Sequence, residues 1–314
     1  MKKSGALQIG FLSLVASLHS VESASAGGSG VNVNVNVDSD RRVETCGDIR
    51  IRYDSRAAQR AESAFSLPGT APFQAKMPAN SGVYVIGEKR GDYAVTACKA
   101  ARRPDDLGEI RVTPQGSGVS FEGPPGGDWL VFLIVRAPRD AAVDLEVKNG
   151  SISVRDTSGK VTARTTNGPI SIANASGELD AQATNGPISL RGSTGSGEAR
   201  AVNGPISFEG SAGTYRLDTR NGPISVELEG DRWDGGSLDA RAVNGPLSLL
   251  LADDYRSGVL VEMGGNGPVS CPDSACRKAR KVWDEGARRI EFGDADPVVR
   301  LSTKNGPVSI QSKD

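Results

Sequence analysis

Residues 161–210 read VTARTTNGPISIANASGELDAQATNGPISLRGSTGSGEARAVNGPISFEG. Asn-Gly-Pro-Ile-Ser occurs in this stretch at Asn167, Asn185 and Asn203, each 18 residues after the last. Outward from it, Asn-Gly also marks Asn149, Asn221, Asn244, Asn266 and Asn305, and the gaps after Asn221 widen to 23, 22 and 39 residues. A fixed period of this kind identifies stacked supersecondary units, each burying its apolar face against the next.

Within a unit the polarity alternates with period two, the signature of strands. Before the corner, Leu179, Ala181 and Ala183 alternate with Asp180 and Gln182, and Leu238, Ala240 and Ala242 alternate with Asp239 and Arg241. After it, Ile170 and Ile172, Ile188 and Leu190, Ile206 and Phe208, and Ile224 and Val226 flank a single serine. Asn-Gly alone favours a two-residue hairpin. Proline argues against one, because Pro169, Pro187, Pro205, Pro223, Pro246, Pro268 and Pro307 stand where a hairpin needs a backbone N–H donor. A solenoid corner tolerates proline.

The sequence therefore predicts an all-β chain: a parallel β-solenoid, or β-helix, built from ~18-residue NGPIS-type repeats, with an irregular β cap at its N-terminal end. Stacking places Asn over Asn as an internal ladder whose amides satisfy one another. A wall of Ala facing a wall of Ile and Leu makes a thin interior. This fits a composition of 39 Gly with only 7 Phe, 5 Tyr and 3 Trp. At about 4.8 Å per layer, the Asn-Gly units span roughly 38 Å.

The chain opens MKKSGALQIGFLSLVASLHSVESASA, with a basic start, an apolar run and a small-x-small end at Ala24-Ser25-Ala26. Residues 1–26 read as a signal peptide, the apolar run being too short to span a bilayer, and nothing later is long enough to do so. The sole histidine, His19, lies in this leader, which removes triads and histidine metal sites from the exported chain. Cys46, Cys98, Cys271 and Cys276 form an even set in an exported chain. Of the three connectivities, Cys46–Cys98 with Cys271–Cys276 is favoured over the others and over a zinc site. Residues 27–44 are a flexible or extended segment, 45–140 an irregular β part of the same solenoid, and 141–314 the repeat array with an insertion at 271–297. PANSGVYVIG, around Asn80, resembles a degenerate repeat.

A net charge of −1 gives the chain no general pull toward nucleic acid or membrane. Arg277, Lys278, Arg280, Lys281, Arg288 and Arg289 concentrate positive charge in the insertion, beside Trp283. Such a run is either a solvated loop or short helix, or a docking patch for an anionic envelope polymer, with Trp283 stacking on a sugar or a surface partner. No nucleotide-binding or G-x-S-x-G motif is present, and no cofactor or metal is expected. Asp180, Glu198, Asp218 and Asp239 are the carboxylates a β-helix glycosidase or lyase would use, but Arg164, Arg200 and Arg241 stand beside them as ion-pair partners.

The repeated NG[PS][ILV]S units, preceded by FLIVRAPRDAAVDLEVKNGSISV, resemble the bacterial β-strand-repeat proteins grouped as domain of unknown function 4097, also described as putative adhesins. The resemblance covers about residues 140–314. It implies an exported envelope β-solenoid and carries over no catalytic residue. The expected function is non-enzymatic: adhesin-like binding or scaffolding in the periplasm, on the cell surface or outside the cell. A solenoid that self-associates end to end and a carbohydrate-active enzyme are the alternatives.

Overall fold

Each 18-residue unit folds as two strands joined by the Asn-Gly corner. Glu178–Asn185 enters the corner of the Asn185 coil and Ile188–Arg191 leaves it. Equivalent strands of successive coils pair in parallel and in register, Asn167 with Asn185, Ile170 with Ile188 and Ile172 with Leu190. The entering strands lie in a 13-stranded sheet and the leaving strands in a 12-stranded sheet, so the chain is a parallel β-solenoid. The computed structural model describes residues 21–25, 32–37, 43–126, 128–265, 267–272, 274–284, 287–293 and 295–313.

The interior follows the alternation. Ile170, Ile172, Ile188, Leu190, Ile206 and Phe208 on one wall are buried against Ala163, Ala181, Ala183, Ala199 and Ala201 on the other. Short side chains on one wall let long ones on the other fill the space to interior density. Thr165 and Thr219 replace alanine in this wall, in register with Ala183 and Ala201. Thr219 Oγ1 donates to the Gly204 carbonyl at 3.1 Å, whereas the buried Thr165 Oγ1 has no partner among the described residues. Thr219→Ala is expected to cost about 1 kcal/mol and Thr165→Ala to be neutral or stabilising, since only the first gives up a hydrogen bond. Equal losses in urea unfolding would contradict this difference.

The corners explain the prolines. The ladder passes through glycine and through the residue after proline: Gly168 N–H donates to Asn185 O at 3.0 Å and Ile170 N–H to Pro187 O at 2.9 Å. Proline is used through its carbonyl as an acceptor. The asparagine side chains form a continuous ladder from Asn80 through Asn149, Asn167, Asn185, Asn203, Asn221 and Asn244 to Asn305, at 2.7–3.3 Å per step. The sequence placed this ladder inside. It lies at the surface, with Asn167 to Asn305 exposed, because the apolar walls already fill the interior and the corner sits at its rim. Asn266 lies outside the described residues.

Stacking departs from chain order at both ends. Trp129–Pro138 inserts between Gly82–Glu88, to which it is parallel, and Asp92–Ala101, to which it is antiparallel. The C-terminal coil, Pro297–Asn305 and Val308–Lys313, inserts between the Asn244 coil and the strands Gly258–Met263 and Val269–Ser270. At the N-terminal end, a 4-stranded sheet covers the outer face of the 12-stranded one. There Ile49, Ile51 and Tyr53 pack on Leu130, Phe132 and Ile134, and Cys46 is bonded to Cys98. Of the leader expected over 1–26, residues 1–20 and 26 lie outside the described residues; Val21–Ser25 pairs with Asn32–Val37.

Burial raises the phenol pKa of Tyr53, of Tyr255 and of Tyr215, the last to about 12. A folded pKa above the unfolded value of about 10 means that the stability these neutral phenols confer is whole below pH 10 and lost as pH climbs through the folded values. The thermal midpoint should therefore fall between pH 10 and 12. A flat profile there would contradict their burial.

Candidate functional site: the cationic end cap

The insertion closes the C-terminal end of the rod. Val269–Ser270 leads into a short helical turn, Ser274–Lys278, which the Cys271–Cys276 bridge fastens at its base. Cys276 is buried against the solenoid core and Cys271 packs partly against it. Arg280–Asp284 and Ala287–Phe292 then form a hairpin whose second strand pairs antiparallel with Gly258–Met263. The first strand of that hairpin is the last of the 13-stranded sheet.

The structure divides the predicted cations into two groups. Arg288 holds the cap together: its Nη2 donates to the carbonyls of Gly265 at 2.8 Å and Gly267 at 2.7 Å. Its guanidinium also lies 5.6 Å from the centre of the Trp283 ring. Arg289 pairs with Glu262 at 2.9 Å, and Arg280 pairs with Glu291. Arg277, Lys278 and Lys281 remain exposed, with no ion pair among the described residues. Trp283 is 52% exposed, the largest exposure among the large hydrophobic side chains described. The cap thus presents three exposed cations without an ion-pair partner among the described residues, beside an aromatic ring that an arginine contacts.

A cavity of about 860 Å³ opens beside the cap, lined among others by Asp254, Tyr255, Lys278, Phe292 and Asp296. Sequence reading missed it because its walls come from segments 251–256, 278–280, 291–293 and 295–297, which only the tertiary fold brings together.

The flat face of the 13-stranded sheet is different. Arg164 bridges Asp144 and Asp180 at 3.3 Å each, Arg216 pairs with Asp218 at 2.7 Å, Arg241 with Asp239 at 2.6 Å, and Arg200 with Glu198. The carboxylates considered for glycosidase chemistry are therefore engaged by neighbouring arginines, in surface pairs worth about 1 kcal/mol or less. Among the described residues no three His, Cys, Asp or Glu side chains converge as a metal site, and no helix is long and apolar enough to cross a membrane.

No family model matches the chain, and no curated protein does. Solved structures do. A protein from Bacteroides fragilis described as a putative adhesin is 10% identical, over 81% of this chain and 97% of that one, with a TM-score of 0.30. A putative cell adhesion protein from Clostridium sporogenes is 9% identical over 81% and 100%, with a TM-score of 0.22. A putative lipid binding protein from Parabacteroides distasonis is 7% identical over 80% and 97%, with a TM-score of 0.27. At these identities and scores the likeness assigns neither a family nor a function.

Proposed function

We propose that this chain is a non-enzymatic, adhesin-like binding or scaffold protein of the cell envelope, and that the cap at the end of its rod docks on an anionic envelope polymer. The observation that carries the reading is the contrast between two surfaces. Charges along the flat sheet face neutralise one another, whereas Arg277, Lys278 and Lys281 stand unpaired among the described residues, next to exposed Trp283. Unpaired cations attract a polyanion at range, and an aromatic face gives a sugar ring a surface to stack on. The two disulfides and the leader-like start fit an exported protein in an oxidising compartment.

Stacking of rods end to end has less support. Of the four outermost strands of the two long sheets, Gln59–Pro68, Arg111–Gln115 and Arg280–Asp284 carry Pro68, Pro114 and Lys281, features that discourage pairing at an open sheet edge, and the fourth, Val269–Ser270, is only two residues long.

The test is co-sedimentation of residues 27–314 with insoluble envelope fractions across a salt series. Retention should be strongest at low salt and fall as salt screens the cap. The variant Arg277→Glu, Lys278→Glu, Lys281→Glu should bind about tenfold more weakly or worse, three surface contacts of about 0.5–1 kcal/mol each being lost. A control reversing Lys148 and Lys304 on the flat face should bind as the unmodified chain does. Equal retention of all three proteins would remove the cap from the function.

A further inference from the structure

We infer that the C-terminal coil, Pro297–Lys313, is a donor segment: it fills a slot between two preformed edges, and the slot accepts the same segment from a second copy of the chain. The topology carries this. On one side of the slot lie Asp234–Asn244 and Leu247–Ala252; on the other lie Gly258–Met263 and Val269–Ser270. None of the strands on one side pairs with a strand on the other; in both sheets the C-terminal coil stands between them. The basic cap, built on Gly258–Met263, therefore joins the ladder of the rod through a segment that follows it in the chain.

The bonds in the slot are those that any coil makes with its neighbour. Asn305 Nδ2 donates to Asn244 Oδ1 at 2.9 Å, Gly245 N–H to Asn305 O at 3.0 Å, and Leu247 N–H to Pro307 O at 2.9 Å. On the other side Gly264 N–H donates to Thr303 O at 2.8 Å and Val308 N–H to Pro268 O at 3.0 Å. Leu301 and Ile310 continue the buried walls. Nothing in this set depends on which chain supplies the coil. The segment is joined to the cap by a link that includes exposed Ala295 and Asp296. A self-contained element on a short tether, docked by repeating contacts, is the arrangement from which identical copies exchange parts. Exchange between two copies would couple two cationic caps in one particle.

The experiment uses the full chain with a protease recognition sequence inserted between Ala295 and Asp296. After cutting, the released segment should stay with the body on native gel filtration and separate only in denaturant. A fluorescent peptide of residues 295–314 should then enter the cut protein saturably, and at least 100-fold less into the uncut one. The same peptide carrying Leu301→Asp and Ile310→Asp should not compete. Loss of the segment on cutting would overturn the inference. So would retention without exchange while the backbone amides of the Asn185 and Asn203 coils stay protected from hydrogen exchange. These readouts do not involve polymer binding, so they stand or fall separately from the cap's proposed ligand.

Discussion

Replacing Cys46 and Cys98 together by serine is expected to lower stability by about 4 kcal/mol and to uncover an apolar face on the 12-stranded sheet. The bridge spans 52 residues of chain, and closing a loop of that length removes about 4 kcal/mol of chain entropy from the unfolded state. Its structural role raises the stake. Ile49, Ile51 and Tyr53 form a lid over Leu130, Phe132 and Ile134, and the bridge is the one cross-link that joins this 4-stranded sheet to that face besides the chain itself, which runs from Arg56–Ala57 into Gln59–Pro68. Trp129–Pro138 reads WLVFLIVRAP and is buried along almost its whole length, because one face meets the solenoid interior and the other meets the lid. Once the bridge is gone, the lid is held by packing, by the chain that leads into Gln59–Pro68, and by exposed ion pairs such as Arg102–Asp54 and Arg155–Glu44, which are worth about 1 kcal/mol or less each. The double variant should therefore bind a hydrophobic dye before the main unfolding transition, and its guanidinium midpoint should fall. The Cys271–Cys276 bridge closes only 5 residues, and its removal should cost about 2 kcal/mol, confined to the cap. Matching midpoints for the intact and double-serine proteins, with no dye bound, would show that the lid does not depend on the bridge.

The repeat was legible because each of its signals is local. Ile170-Ser171-Ile172 alternates on its own, and proline after Asn-Gly excludes the hairpin without knowledge of any neighbour. The degenerate Asn80 corner could be read as well, and Asn80 is the first rung of the side-chain ladder. The order of the coils could not. Asn244 stacks on Asn305 through the same bonds by which it would stack on any other repeat, so the sequence does not distinguish the partner 61 residues away from the one 22 away. Identical units make the register within a pair certain and the identity of the pair ambiguous.

The site divides in the same way. That Arg277, Lys278, Arg280, Lys281, Arg288 and Arg289 cluster is visible in one line of sequence. That Arg288 is spent on two carbonyls, and Arg280 and Arg289 on glutamates, depends on Glu262, Gly265, Gly267 and Glu291 arriving from elsewhere in the fold. A count of charges overstates the free charge wherever tertiary partners absorb part of it.

Gly204→Ala is expected to destabilise the rod by about 3 kcal/mol or more, although the change adds a single methyl group near an exposed corner. The cause is backbone contact between coils. A Cβ at Gly204 would stand 2.1 Å from the Gly186 carbonyl oxygen and 2.7 Å from its carbon, and neither atom belongs to a side chain that could move aside. The next corner has the same closeness, a Cβ at Gly222 falling 2.2 Å from Gly204 O. Relief would require the Asn185 and Asn203 coils to part, which strains the Asn203–Asn185 rung at 2.9 Å and the bond from Gly186 N–H to Asn203 O at 3.1 Å. The damage should therefore spread as faster hydrogen exchange in the coils on either side, where a cavity or a lost side-chain contact would stay local. Gly108→Ala makes the control. It lies in the helix Pro104–Glu109, a Cβ there meets nothing within 4 Å, and alanine favours the helix by up to about 1 kcal/mol. A Gly204→Ala protein as stable as Gly108→Ala would mean that the corners are not the point of closest approach between coils. The opposite result would give the reason for glycine after asparagine at each corner: the asparagine ladder and the proline carbonyls can stack only where two backbones touch without side chains between them.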